Sequence, residues 1–355
     1  MVILLITMQK AQQSIVKKLR VQKIIKETDE AISLILDPLD GWKPIYKAGQ
    51  YITLHFETPN GEKRRSYSIS SSAAMNEPLK ITIKKVDNGE FSRKLVYHAS
   101  VGDILYSTGI NGFFVLPEEI DKYDSICFLA AGSGITPCMA LIKELLIKNK
   151  QRIVLFYSNR SETEAIFFKE LEALQRKFSD RIFVKYLFSN RSNIMESRLS
   201  HWLLSQLLHQ YLMLHTISLF FLCGPYSYMQ TISISLLSNG IKQQQIIKED
   251  FFPLPKLVIP KPPDTDAHNV TIHINQNIYT IIVKYPMSIT ATAKSKGIIL
   301  PYSCEAGICG SCAATCTKGK VWMAYNEVLV DEDVAKGRIL CCQSFPINGD
   351  VTIQF

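Results

Sequence analysis

The chain has 355 residues, of which 47% are hydrophobic and 20% charged, the balance of a globular protein and not of a disordered, collagenous or membrane-embedded one. That length allows two or three domains with cores large enough to stand without disulfides. The net charge of +8 arises from 40 Lys and Arg against 32 Asp and Glu, scattered without basic runs, so nucleic acid is not implied as a partner.

The apolar opening, Val2 to Met8, is only seven residues long, with no basic region before it and no small-residue cleavage site after it. No signal peptide is expected. From Leu19 to Leu116, short alternating runs (Ala31 to Leu36, Gln50 to Phe56, Leu79 to Val86, Asp103 to Ser107) are separated by turn residues and predict a small antiparallel β-barrel. From Asp124 the period changes. Apolar strands at Ile126 to Ala131, Ile153 to Tyr157, Ile182 to Phe188, Ser218 to Cys223 and Gln245 to Lys248 alternate with helical patterns, which predicts a doubly wound parallel α/β sheet. One helix places Met139, Leu141, Ile142, Leu145 and Leu146 on an apolar face, and another runs from Tyr226 and stops at Gly240. The apolar region Leu199 to Cys223 is interrupted by His201, Gln206, His209, Gln210 and His215, so it reads as a buried helix followed by a buried strand. No segment is expected to span a membrane.

Five prolines between Phe252 and Ala267 predict a stiff linker. Strand-like Val270 to Ile274, Tyr279 to Val283 and Val351 to Phe355 then surround a cysteine-rich loop. The expected division is a barrel over 16–118, an α/β domain over 119–252, the linker over 253–267 and a β-grasp-like unit over 268–355.

Nine cysteines are too few for a secreted disulfide scaffold, and six of them crowd between Cys304 and Cys342, which points to metal chemistry in a reducing, cytoplasmic compartment. Cys304, Cys309, Cys312 and Cys342 leave four, two and twenty-nine residues between successive members, the plant-type spacing for a [2Fe-2S] cluster. Three thiolates must converge from one tight loop, so Gly307 and Gly310 allow unusual backbone angles and N–H groups aimed at sulfur. A four-cysteine zinc site would normally use two Cys-x-x-Cys pairs, and only Cys309 with Cys312 is so spaced. Cys341 and Cys342 face opposite sides of an extended segment, so only one of them reaches the core. Cys316 and Cys341 read as small buried apolar residues.

The run from Leu300 to Cys312, Leu-Pro-Tyr-Ser-Cys-Glu-Ala-Gly-Ile-Cys-Gly-Ser-Cys, followed by Cys342-Gln343-Ser344-Phe345-Pro346, resembles the ferredoxin domain of the ferredoxin-reductase-like oxygenase reductases. Within them it most resembles the reductase subunits of phenylacetyl-CoA epoxidases, over nearly the whole chain from Leu19 to Phe355. The resemblance assigns the fourth ligand to Cys342.

Arg65-Ser66-Tyr67-Ser68-Ile69 matches that family's Arg-x-Tyr-Ser motif, which implies Arg65 on a flavin diphosphate with Tyr67, Ser68 and Ile69 near the isoalloxazine. The chemistry suits the residues, since guanidinium forks onto phosphate, an aromatic ring stacks on a flat heterocycle and a hydroxyl reaches N5. Gly89-Glu90-Phe91-Ser92 resembles the family's second phosphate loop, in which backbone N–H groups and the Ser hydroxyl hold the diphosphate at a helix start, and favours FAD over FMN. Phe251, or Phe252 in its place, stands where the family has an aromatic that covers the flavin.

Gly132-Ser133-Gly134-Ile135-Thr136-Pro137 follows a buried strand and opens a helix, where a diphosphate meets free N–H groups. Pro137 replaces the third glycine of Gly-x-Gly-x-x-Gly, and the run matches the family's own variant. Cys223-Gly224-Pro225 matches its second nicotinamide element, and the parallel topology places both at the carboxyl edge of the sheet. Ser68 and Cys223 are thus the candidate catalytic residues. After the second α/β strand, Ser158-Asn159-Arg160 offers no acid to the 2′-hydroxyl of NADH, whereas Arg160, Ser189 and Arg191 suit a 2′-phosphate, which favours NADPH. The family often reads Ser-Arg where this chain reads Ser189-Asn190-Arg191.

Hydride moves two electrons and a two-iron cluster accepts one, so a flavin must stand between them. The expected function is an NAD(P)H-dependent reductase that passes electrons through FAD and the cluster to an oxygenase component, which the resemblance makes a di-iron one. A Rieske or other hydroxylase is the alternative acceptor, and a zinc-stabilised nucleotide-binding scaffold is the alternative from another class. From Ala267 onward, seven Lys and Arg balance six Asp and Glu, so a tethered ferredoxin unit has no need of long-range steering to its flavin.

Overall fold

A computed structural model describes residues 16–59, 61–87, 89–191, 198–212, 217–251 and 261–355. The N-terminal apolar stretch, Phe252 and the first three of the five linker prolines lie outside the described residues. Among the described residues no helix is long and apolar enough to cross a membrane.

Strands β1 (Lys17–Thr28), β2 (Ala31–Pro38), β3 (Tyr51–Thr58), β4 (Gly61–Ser68), β5 (Lys80–Lys84) and β6 (Ile104–Asn111) form one sheet in the order β4-β3-β6-β1-β2-β5. Every neighbouring pair is antiparallel, and a bridge between Ile69 and Ile81 joins the two edges, so the sheet curls closed. Closure removes the unpaired edges. Leu19, Leu34, Ile52, Leu54 and Ile81 fill its interior.

Strands β7 (Ser125–Ala131), β8 (Arg152–Asn159), β9 (Ile182–Phe188), β10 (Ser218–Cys223) and β11 (Ile246–Glu249) form a parallel sheet ordered β11-β10-β7-β8-β9. Every residue of β7 and β10 is buried, as expected of central parallel strands covered on both faces by helices. The chain runs from β7 outward to β9 and then returns across the sheet to β10. The strand order therefore reverses beside β7, and a crevice for ligands opens at the carboxyl ends of β7 and β10.

Strands β12 (His268–Ile274), β13 (Asn277–Val283), β14 (Ala313–Met323), β15 (Arg338–Leu340) and β16 (Ser344–Gln354) make a third sheet, ordered β13-β12-β16-β14-β15, with β12 parallel to β16. The cysteine loop lies between the helix Ile289–Ser295 and β14. Asp264 anchors the entry to this unit: its carboxylate accepts from the N–H of Asp266 at 2.8 Å and of Asn348 at 2.7 Å, and lies 2.7 Å from His268 Nε2. Those hydrogen bonds, led by the Asp266 N–H, hold its pKa down at about 2.

The first two sheets meet through buried charge. Lys143, on the helix Ile135–Lys148, has its side chain 1% exposed and reaches Glu77 of the barrel at 2.7 Å and Glu170 of the helix Phe168–Lys177 at 2.5 Å. Burial by itself would lower the Lys143 pKa, but Glu170 and Glu77 outweigh it and the ammonium is held above its usual range.

Candidate cofactor and electron-transfer sites

In β4 the side chains alternate. Ser68 lies opposite Tyr51, Ser66 opposite Thr53 and Arg64 opposite His55, whereas Tyr67 pairs with Ile52 and Arg65 with Leu54 on the other face. Tyr67 packs against the barrel core, and burial pushes its phenol up. The Arg65 guanidinium stands 5.3 Å from the Phe91 ring, which joins the strand motif to the Gly89–Ser92 loop. Phe91 in turn stacks on Phe56 with ring centroids 4.3 Å apart.

Ser92 turns inward: its hydroxyl accepts from Val86 N–H at 3.1 Å and donates to Gly89 O at 3.3 Å. It therefore shapes the turn. A Cβ on Gly89 would stand 2.6 Å from the Ser92 oxygen, so the turn is built around glycine. No side chain caps the helix Glu90–His98, which leaves its first N–H groups for an anionic ligand, as a flavin diphosphate requires.

The two nicotinamide elements meet at the sheet edge. A Cβ on Gly134 would stand 2.0 Å from Cys223 O, and one on Gly224 would press on Ala131 and Tyr228. Backbones pack this closely only with glycine at both places. The helix that starts at Ile135 has no side-chain cap, Thr136 Oγ1 donates to Ser133 O at 2.8 Å, and Pro137 lies in the first turn, where its missing N–H costs nothing. The arrangement suits a diphosphate on free N–H groups. Cys223 is fully buried, and burial pushes its thiol well up, with Glu249 adding to the shift.

Arg160 sits at the exposed end of β8, 3.8 Å from Glu164. Ser189 follows β9, bonded through its N–H to Asn159 O at 3.0 Å, and Arg191 lies over the Phe188 ring at 5.0 Å. These groups thus share one sheet edge. Phe251 packs, partly buried, against the core beneath the barrel–sheet junction.

Two residues at these sites escape sequence reading. Lys84, from the barrel, brings its Nζ to 3.9 Å from where a Cβ on Gly132 would stand, so a cation overhangs the glycine turn. Glu249 ends β11 with its Oε2 sealed from solvent and without a hydrogen-bond partner, and burial raises its carboxyl to about 8. Its carboxylate adds to the upward push on the Cys223 thiol and, after burial, on the Tyr51 phenol. A Lys beside a Lys and a Glu beside an Asp carry no distinguishing pattern in the sequence.

At the cysteine loop, Cys304 interacts with Cys309 and Cys342, and Cys342 with Cys312, so all four sulfurs face one another in a chain. Among the described residues no group of three or more His, Cys, Asp or Glu forms a ready site for a single metal ion. Hydrogen bonds from Cys309 and Cys342, with the N–H groups of Ala306 and Ile308, pull the Cys304 thiol well down, while its two thiol donors are pushed up. Ala306 N–H reaches Cys304 Sγ at 3.3 Å and Cys342 N–H reaches Cys312 Sγ at 3.5 Å. Glu305, Gly307 and Gly310 take positive φ to turn the loop. N–H groups aimed at sulfur stabilise thiolate, which is what an iron–sulfur core needs. Cys341 is fully buried in the core of the unit, with its N–H donating to Cys312 O at 3.1 Å.

A barrel with a flavin motif, a parallel sheet with a nicotinamide crevice and a thiolate loop define a flavin- and iron–sulfur-dependent electron-transfer reductase. Residues 42–115 match the oxidoreductase FAD-binding domain family, 128–233 the oxidoreductase NAD-binding domain family and 272–346 the 2Fe-2S iron-sulfur cluster binding domain family. The chain is 30% identical over 354 residues to the ferredoxin reductase component of 3-ketosteroid-9-alpha-monooxygenase from Mycobacterium tuberculosis, covering 96% of each chain. It is 28% identical over 345 residues to one of the subunits of 1,2-phenylacetyl-CoA epoxidase from Escherichia coli, covering 95% of this chain and 97% of that one. The solved structure of phthalate dioxygenase reductase shares the fold with a TM-score of 0.60 at 21% identity, over 97% of this chain and 99% of that one. The chain belongs to the family of ferredoxin reductase components of oxygenases. It takes electrons from a nicotinamide nucleotide and passes them, through FAD and a [2Fe-2S] cluster, to an oxygenase component.

Proposed function

We propose that the chain is a cytoplasmic NADPH-dependent reductase for an oxygenase of the phenylacetyl-CoA epoxidase kind, with domains at 16–118, 119–252 and 268–355 joined by the linker 253–267. The observation that supports the site assignment is the close packing of Gly134 against Cys223 O, which brings the two nicotinamide elements to one sheet edge, with Lys84 of the barrel over Gly132. Bound FAD supplies a centre that accepts a hydride and releases electrons one at a time.

In this reading Arg65 and the N–H groups after Gly89 hold the flavin diphosphate, with Phe91 and Ser92 shaping that loop. Tyr67 lines the ring, Ile69 backs it from the barrel core, where it is fully buried, and Ser68 presents its hydroxyl toward N5. Gly132, Gly134, Thr136 and Pro137 form the turn for the nicotinamide diphosphate, with Lys84 above it. Cys223, Gly224 and Pro225 bound the nicotinamide itself, and Phe251 closes the flavin side until the nucleotide enters. Cys223, neutral through burial, packs the reacting carbon without adding charge. Glu249, a neutral acid up to about pH 8, can hold or give a proton at Oε2 beside the same space. Arg160, Ser189 and Arg191 hold the 2′-phosphate. Cys304, Cys309, Cys312 and Cys342 hold the cluster, and nine unpaired cysteines suit a reducing cytoplasm.

A second reading takes a monooxygenase of the 3-ketosteroid kind as the acceptor, favoured by the 30% identity over 354 residues. Reconstitution with each kind of oxygenase component decides between them: the true partner turns over its substrate with NADPH and this chain, and the other does not.

A further inference from the structure

We propose that Arg64 is a positioning residue for the flavin-to-cluster electron step, acting through Tyr302. Strand β4 has two working faces. Arg65 and Tyr67 share the face of Leu54 and Ile52, while Arg64 and Ser66, one residue out of phase, reach the cysteine loop.

On that second face three neighbouring positions grip the same segment. Arg64 Nη1 donates to Leu300 O and Tyr302 O, both at 3.3 Å, and its guanidinium lies 3.9 Å from the Tyr302 ring centroid. Ser66 Oγ is 2.6 Å from Ser303 Oγ. Tyr51 OH donates to Cys309 O at 2.5 Å and lies 2.6 Å from Ser311 Oγ. The residues gripped, Leu300 to Ser311, lead into the three clustered cysteines and span the first two of them, Cys304 and Cys309.

Arg64 is 5% exposed, and its Nε is paired with Glu62. A guanidinium is costly to bury, and its planar fork is suited to fixing two carbonyls and a ring at once. That is a device for orientation. Electron transfer between two bound centres falls off steeply with their separation, and a small displacement of a reacting pair by a remote residue can cost about a hundredfold. In the step concerned, one electron is lost by the reduced flavin and one is gained by the cluster, and no bond between the modules forms or breaks.

The inference rests on the assignment of FAD to the barrel, so FAD and iron content are measured first on the wild type, and their absence would overturn that assignment and not the positioning role. The test compares Arg64→Ala, Tyr302→Ala and Tyr302→Phe in the full-length, fully loaded protein. NADPH-driven ferricyanide reduction reads delivery from the flavin, and stopped-flow bleaching of the iron–sulfur absorbance reads arrival at the cluster. Expected are unchanged FAD and iron content and unchanged ferricyanide reduction in all three. Cluster reduction should slow by about tenfold or more in Arg64→Ala and Tyr302→Ala, with Tyr302→Phe restoring the rate by keeping the ring. Unchanged cluster reduction in both alanine variants overturns the proposal. So does an equal fall in ferricyanide and cluster reduction, which marks a general loss of structure.

Discussion

Gly310 and Phe113 are packed so closely that a Cβ on the glycine would stand 2.5 Å from two carbons of the ring. Gly310 also has φ of +72°, and Phe113 joins the core of the third sheet although it lies far earlier in the chain. The cluster loop is thus fitted against residues on the border of the barrel. Gly310→Ala strains both the backbone and that contact and should cost about 1–3 kcal/mol. A lower thermal midpoint with loss of iron on gel filtration is the expected result, and a midpoint within a degree of wild type would contradict it.

Substitution distinguishes the two adjacent cysteines, Cys341 and Cys342. Cys342→Ser should abolish the iron–sulfur absorbance while leaving FAD bound. Cys341→Ser, which places a hydroxyl in a fully buried apolar site, should keep the spectrum and lower stability by about 1–3 kcal/mol. The reverse pattern would move the fourth ligand to Cys341.

Glu249 gives a pH dependence with a definite sign. Its carboxyl is raised from 4.5 to about 8, so between those values the folded chain keeps a proton that the unfolded chain has released. Stability therefore falls as pH rises through that window, and Glu249→Gln should flatten the fall. Urea midpoints across the same window test this: a slope identical in wild type and variant would remove Glu249 as its source.

If Arg160 and Arg191 hold the 2′-phosphate as proposed, Arg160→Ala and Arg191→Ala should each lower kcat/KM for NADPH by about tenfold and leave NADH use unchanged, through loss of a charge-assisted hydrogen bond. Equal losses with both nucleotides would place these residues elsewhere in the site.

Lys143→Met removes the cation 2.7 Å from Glu77 and leaves Glu170 with Lys80 alone, 3.7 Å away. A stability loss of about 3 kcal/mol is expected, because one partner of a buried ion group has been removed. Denaturant unfolding measures it. Restoring the midpoint by adding Glu77→Gln would identify the stranded charge as the cause.

The strands Ile182–Phe188 and Ser218–Cys223 were legible to the residue, because central parallel strands are apolar runs bounded by turn residues. Strand β14 was not. Its sequence, Ala-Ala-Thr-Cys-Thr-Lys-Gly-Lys-Val-Trp-Met, is largely exposed or half-buried, and two register shifts against β16 break the alternation. The cysteine spacing and the glycine turns were readable because their chemistry is local. The contact of Tyr51 with Cys309 was not, since it joins residues 258 apart and depends on how two units pack. The expectation that the Ser92 hydroxyl holds a diphosphate at a helix start has the helix right and the hydroxyl wrong, because Ser92 lies in the first turn of Glu90–His98 with its hydroxyl bonded to Val86 N–H and Gly89 O.

Asp264 has a practical consequence for anyone who grafts the iron–sulfur unit onto another protein. A transplant cut at Asp264 carries with it the acceptor for Asn348 N–H and the neighbour of His268, and so arrives with its own foundation. A cut at His268 leaves both behind, and the recipient would have to supply a replacement.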